Sequence, residues 1–120
     1  DAMLASEEGR RLATSFVVTN FEHIPVELIK RQVEGMVACD AVPLMEFAAR
    51  EGFDLDVEAI DCPVRIVWGT EDRILPYPGT AARYREEMPN ADWVELEGIG
   101  HMPQLDVPTE AAQLILGLSR

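Results

Sequence analysis

The feature that most constrains this chain lies in its second half. Two short β-branched and aromatic runs, VRIVW (64–68) and WVELE (93–97), are each stopped by a glycine and followed by a loop and a helix-forming stretch. Such runs form strands. Gly79 leads into TAARYREEM, a helix stopped ahead of Pro89, and Thr109 is placed to cap the closing amphipathic helix EAAQLILGL. Strand, loop and helix repeated in that order specify βα units of a parallel sheet.

The first half reads as helical. SEEGRRLATSFVVTNF is expected to end a helix or packed segment near Asn20. Pro25 suits a first helical turn, and VELIKRQVEGMVA places Val26, Ile29, Val33, Met36 and Val37 on one face. Pro43 opens a further helix, LMEFAAREG, closed by Gly52, and FDLDVEAID is a linker. The expected division is a helical segment over 1–55 and a βαβα unit over 56–120.

At 120 residues the chain is at most one small domain, and 48% hydrophobic residues suffice for a core. It contains no apolar run of about 18 residues that would span a membrane. No basic stretch followed by an apolar one opens the sequence as a secretory signal would. With Asp1 rather than Met as its first residue, the natural start is expected to lie elsewhere. The net charge of −12 argues against nucleic acid and anionic membrane surfaces as partners, because both recruit Lys and Arg. Cys39 and Cys62 lie among apolar neighbours and are expected to be small buried hydrophobes in a reducing, cytoplasmic setting. His23, Cys39, Cys62 and His101 lack the close spacing of metal ligands, and no cofactor motif occurs.

In a parallel sheet, chemistry gathers in the loops beyond the carboxyl ends of the strands. One such loop carries Gly69, Thr70, Glu71 and Asp72; the other carries Gly98, Gly100 and His101. A carboxylate and an imidazole on neighbouring strand ends can pair, the carboxylate orienting the ring and leaving its other nitrogen as a general base. The alternative is a turn aspartate beside a solvated loop histidine. Two motifs in this order, each after a strand and before a helix, favour the pair. Asp106, ahead of Pro108, is expected to fix the loop by local hydrogen bonds. Trp68 and Trp93 are expected in the core, and Met102 in packing or a pocket wall.

The segments CPVRIVWGTEDRILP and MPNADWVELEGIGHMPQLDVP resemble the acid-bearing and histidine-bearing loops of the α/β-hydrolase fold family. The GxxD and GxGHxP elements fall in that family's order, with 29 residues from Asp72 to His101. The resemblance implies Asp72 as catalytic acid and His101 as catalytic base, with Glu71 as the competing acid. It covers the second half closely. The first half resembles, more weakly, the helical cap such proteins insert before the acid-bearing strand.

The family also needs a nucleophile on a strand-to-helix turn, and no GxSxG occurs here. Ser6 and Ser15 lie in a helical stretch and Ser119 at the end of the chain. Cys39, in VACDA, precedes Asp72 and is followed by small Ala41, but Val37 stands where a small residue is needed and MVA completes a helix. The resulting expectation is a C-terminal part of a hydrolase, its nucleophile in a missing N-terminal half and its isolated chain inactive. The substrate expected for the parent is a small apolar ester, lactone, epoxide, haloalkane or C–C bonded diketone. The alternative is a non-catalytic binding module derived from a hydrolase, completed as a dimer by a second copy.

Overall fold

The computed structural model describes residues 2–51 and 56–118. A 3-10 turn (Met3–Ala5) precedes α1 (Glu7–Thr14), α2 (Val26–Ala38) and α3 (Val42–Glu51). A second 3-10 turn (Val57–Ala59) leads to β1 (Arg65–Gly69), α4 (Gly79–Glu87), β2 (Asp92–Leu96), α5 (Pro103–Asp106) and α6 (Pro108–Leu118). The strands pair in parallel, from Arg65 opposite Asp92 to Gly69 opposite Leu96, with α4 as the connection. The architecture is a partial α/β fold, as the strand–helix alternation implies. Gly52 and the expected boundary at residue 55 lie outside the described residues.

Ser6 starts α1 by accepting the Gly9 N–H at 3.0 Å, and Glu7 and Glu8 favour the positive end of the helix. The helix stops at Thr14, sooner than Asn20. The N–H groups of Val17 and Val18 both turn back to the Thr14 carbonyl, at 2.9 and 3.0 Å. That turn directs Val18, Phe21 and Ile24 into a core with Leu4 and Ile29, against which Met102 and Leu105 of the second half pack. Helical and strand-bearing parts thus share apolar contacts.

Pro25 stands at the N-cap of α2. Only part of the expected apolar face is used: Ile29 is buried, whereas Met36 and Val37 are 68% and 83% exposed. The last turn of α2 runs beyond the surface that buries its start, and α3 likewise exposes Val42, Leu44, Met45 and Phe47.

Arg65 secures the start of the sheet. Its Nε donates to Asp92 at 2.7 Å and its Nη1 to the Leu114 carbonyl of α6. Trp68 is buried, with Trp93 stacked at 6.3 Å and Tyr84 at 5.7 Å. Trp93 is half-buried beneath the Arg85 guanidinium, 4.6 Å from its centroid.

Two further expectations are corrected, and one element was not foreseen. Cys39 and Cys62 are both exposed. Cys39 directly follows the uncovered end of α2, and Cys62 stands before Pro63 and ahead of the strand ladder, so apolar neighbours in sequence bring no burial. Thr109 does not cap the last helix. The Ala111 N–H bonds to the Val107 carbonyl at 2.9 Å, which places the start at Pro108 and Thr109 within the first turn. The single turn α5 was not expected, because four residues between Pro103 and Val107 carry too little periodicity to reveal a helix.

Candidate active site

Both loops leave the carboxyl ends of the strands and are laced together. The Thr70 N–H donates to the Leu96 carbonyl at 3.0 Å, the Glu71 N–H to the Ile99 carbonyl at 2.9 Å, and the Gly98 N–H to Thr70 Oγ1 at 2.9 Å. Two glycines make this possible. A Cβ on Gly69 would stand 2.2 Å from the Ile99 carbonyl oxygen, and Gly98 adopts φ +73°, a left-handed conformation that favours glycine.

This lacing brings Asp72 and His101 together. Asp72 Oδ2 faces His101 Nδ1 at 2.8 Å, while Oδ1 accepts the N–H groups of Ile74 and Leu75, both at 2.8 Å. The Asp72 side chain is 6% exposed and that of His101 33%. One carboxylate oxygen is thus occupied by its own loop and the other is aimed at the ring. A carboxylate only accepts, so Nδ1 carries the proton and the neutral ring keeps its lone pair on Nε2. Nε2 has no hydrogen-bond partner among the described residues. Such an imidazole can take a proton from a group placed beside it and hold the resulting charge against Asp72.

The other candidates fall elsewhere. Glu71 is exposed and joins the lacing through its backbone alone. Cys39 is exposed after α2. Ser6 caps α1, and the Ser15 hydroxyl donates to the Leu12 carbonyl at 3.1 Å. Ser119 lies outside the described residues. His23 Nε2 donates to the Leu105 carbonyl at 2.7 Å. Among the described residues no three His, Cys, Asp or Glu side chains cluster as metal ligands, and no helix is long and apolar enough to cross a membrane.

Asp106 does more than local fixing. It accepts the Gly100 N–H at 2.7 Å within its own loop, and also the N–H groups of Thr19 and Asn20 at 2.9 and 2.7 Å. The second set was invisible in the sequence, because more than 80 positions separate the partners.

His101 lines two cavities. One, of about 290 Å³, is walled mainly by apolar side chains, including Val17, Ile29, Val33, Met36 and Met102. The other, of about 250 Å³, adjoins β1 and is lined by Trp68, Asp72, Leu75 and Tyr84 among others. A larger groove of about 550 Å³ lies at the amino ends of the strands, beside Cys62, Val64 and Ala91, and carries no histidine. Its size is no argument for function, since it lies away from the carboxyl-end loops that carry Asp72 and His101.

No protein-family model matches the sequence. Solved structures do share its fold. One is a bacterial membrane phospholipase A described as a virulence factor, with a TM-score of 0.66 and 23% identity over 97% of this chain and 38% of that one. Another is a protein designated a lipase from Acinetobacter baumannii AYE, with a TM-score of 0.62 and 23% identity over 96% of this chain and 42% of that one. The chain therefore spans about two fifths of the length of these structures. With these structures it shares a partial α/β fold.

Proposed function

We propose that this chain supplies the acid and the base of an α/β-hydrolase-fold ester hydrolase whose nucleophile lies in sequence beyond these residues. The observation that carries the reading is the 2.8 Å contact between buried Asp72 and His101, with Nε2 left to act. The lipase and phospholipase names of the fold neighbours favour esters among the possible substrates. The apolar cavity that His101 borders suits an acyl or alkyl group.

In this enzyme Nε2 takes the proton of the nucleophile as it attacks the ester carbonyl, and Asp72 stabilises the imidazolium. The proton passes to the departing alcohol. Water then attacks the acyl-enzyme, His101 again taking a proton and returning it to the nucleophile as the acid leaves. The helical segment over residues 13–36 walls the apolar cavity and selects substrate.

The test is hydrolysis of p-nitrophenyl butyrate by the 120-residue chain and by the protein extended upstream through the nucleophile. The short chain should stay at background and the extended protein should turn over. An inactive extended protein would contradict the reading. The exposed apolar side chains of α2 and α3 favour a second reading, a binding module that docks a further copy of itself. Activity of the extended protein separates the two.

A further inference from the structure

Asp106 is 2% exposed, and no cation accompanies it in the contacts of its carboxylate. A buried carboxylate without a cation is stable only where several donors replace its hydration. Here the two oxygens hold three backbone donors. Oδ1 takes the Asn20 N–H at 2.7 Å, Oδ2 takes that of Gly100, next to His101, at 2.7 Å, and the Thr19 N–H lies between them, 2.9 Å from Oδ1 and 3.1 Å from Oδ2. Two further bonds join the same segments: Thr19 Oγ1 donates to the Gly98 carbonyl at 2.7 Å, and the Met102 N–H donates to the Val17 carbonyl at 2.9 Å. The residues before and after His101 are thus tied to the strap at 17–20. Asp72 holds the ring from one side only.

We infer that Asp106 is a positioning residue, a carboxylate clamp that fixes the His101 loop against the Val17–Asn20 strap and so sets the angle at which the imidazole meets Asp72 and the substrate. This inference rests on the proposed role of His101. Val17 and Met102 also wall the apolar cavity, so the clamp joins the surface that contacts the acyl group to the backbone that carries the base. Both oxygens are needed. An asparagine in the same place has one acceptor oxygen and an amide that cannot accept an N–H. With its oxygen kept by Thr19 and Asn20, it would release Gly100 and leave the strap in place.

The test compares Asp106→Asn with the wild type in the full-length protein, using p-nitrophenyl butyrate turnover and the low-field proton resonance of His101 Nδ1–H. Expected are a fall in kcat of roughly 10²-fold, as for a base displaced by about 1 Å, a KM within about 2-fold, and a broadened or lost resonance. Unchanged kcat together with an unchanged resonance would overturn the inference. His101→Ala serves as the control. If it retains full activity the hydrolase reading fails, and the resonance alone decides the clamp. Should Asp106→Asn fail to fold, Thr19→Ala, an exposed position that loses the hydroxyl's bonds to the Gly98 carbonyl at 2.7 Å and to Asp106 Oδ1 at 3.4 Å but keeps its backbone N–H on the carboxylate, must lower kcat by about 3- to 10-fold; wild-type kcat in that variant would overturn the inference.

Discussion

Asp72 is the residue whose chemistry most depends on having two distinct oxygens. Asp72→Asn would keep its oxygen on the Ile74 and Leu75 N–H groups and turn an amide towards His101 Nδ1. The ring would then donate from Nε2, the wrong tautomer for a base. In the full-length protein kcat should fall on the order of 10³- to 10⁴-fold with little loss of stability, read by steady-state kinetics beside a thermal melt. Gly69→Ala acts oppositely, on stability first. Its Cβ meets backbone rather than a movable side chain, so the loops must part. Urea denaturation should show a loss of about 1–3 kcal/mol. Both loops were legible from sequence because each announces itself locally, with glycine after a strand and then Asp or His. The wider reach of Asp106 was not, since backbone N–H groups at Thr19 and Asn20 leave no mark in a sequence.

Among the elements, β1, β2 and α4 follow their sequence patterns closely. Helix faces were harder to read, because periodicity shows which side chains align and not whether anything covers them. Met36 and Val37 continue the stripe of Ile29 and Val33 yet stand in solvent. The exposed cysteines illustrate the same gap. The sheet also carries a testable electrostatic contact. The Tyr77 hydroxyl donates to Glu95 at 2.9 Å, and this hydrogen bond, then desolvation, then the Glu95 charge, raise the phenol above its ordinary 10.0. A pKa raised on folding means that the contact adds stability below pH 10 and loses it as pH rises through the folded value. Glu95→Ala should bring the ionisation of Tyr77 back down, measured by absorbance near 295 nm against a Tyr77→Phe control. An unchanged titration would show that the contact is absent in solution.

At the scale of the whole molecule, a two-stranded sheet meets a helical region whose outer face is apolar. Exposed Val37, Leu44, Met45 and Phe47 on one side, and Ile115 and Leu116 of α6 on another, exceed what a small monomer ordinarily shows to water. The isolated 120-residue chain should therefore self-associate, and light scattering after size exclusion should report a mass above 13.4 kDa. A strict monomer at micromolar concentration would show that these surfaces are tolerated in water. Fold class was legible at this scale because strand–helix alternation allows few topologies. What covers the apolar faces was not, since a sequence records no partner.

The proposed role of His101, held by Asp72, is that of the base in an ester hydrolase. Its most direct measurement is kcat/KM for p-nitrophenyl butyrate in the full-length protein and its His101→Ala variant. A fall of at least about 10³-fold is expected in a variant that remains folded. Equal kcat/KM in the two proteins would contradict it.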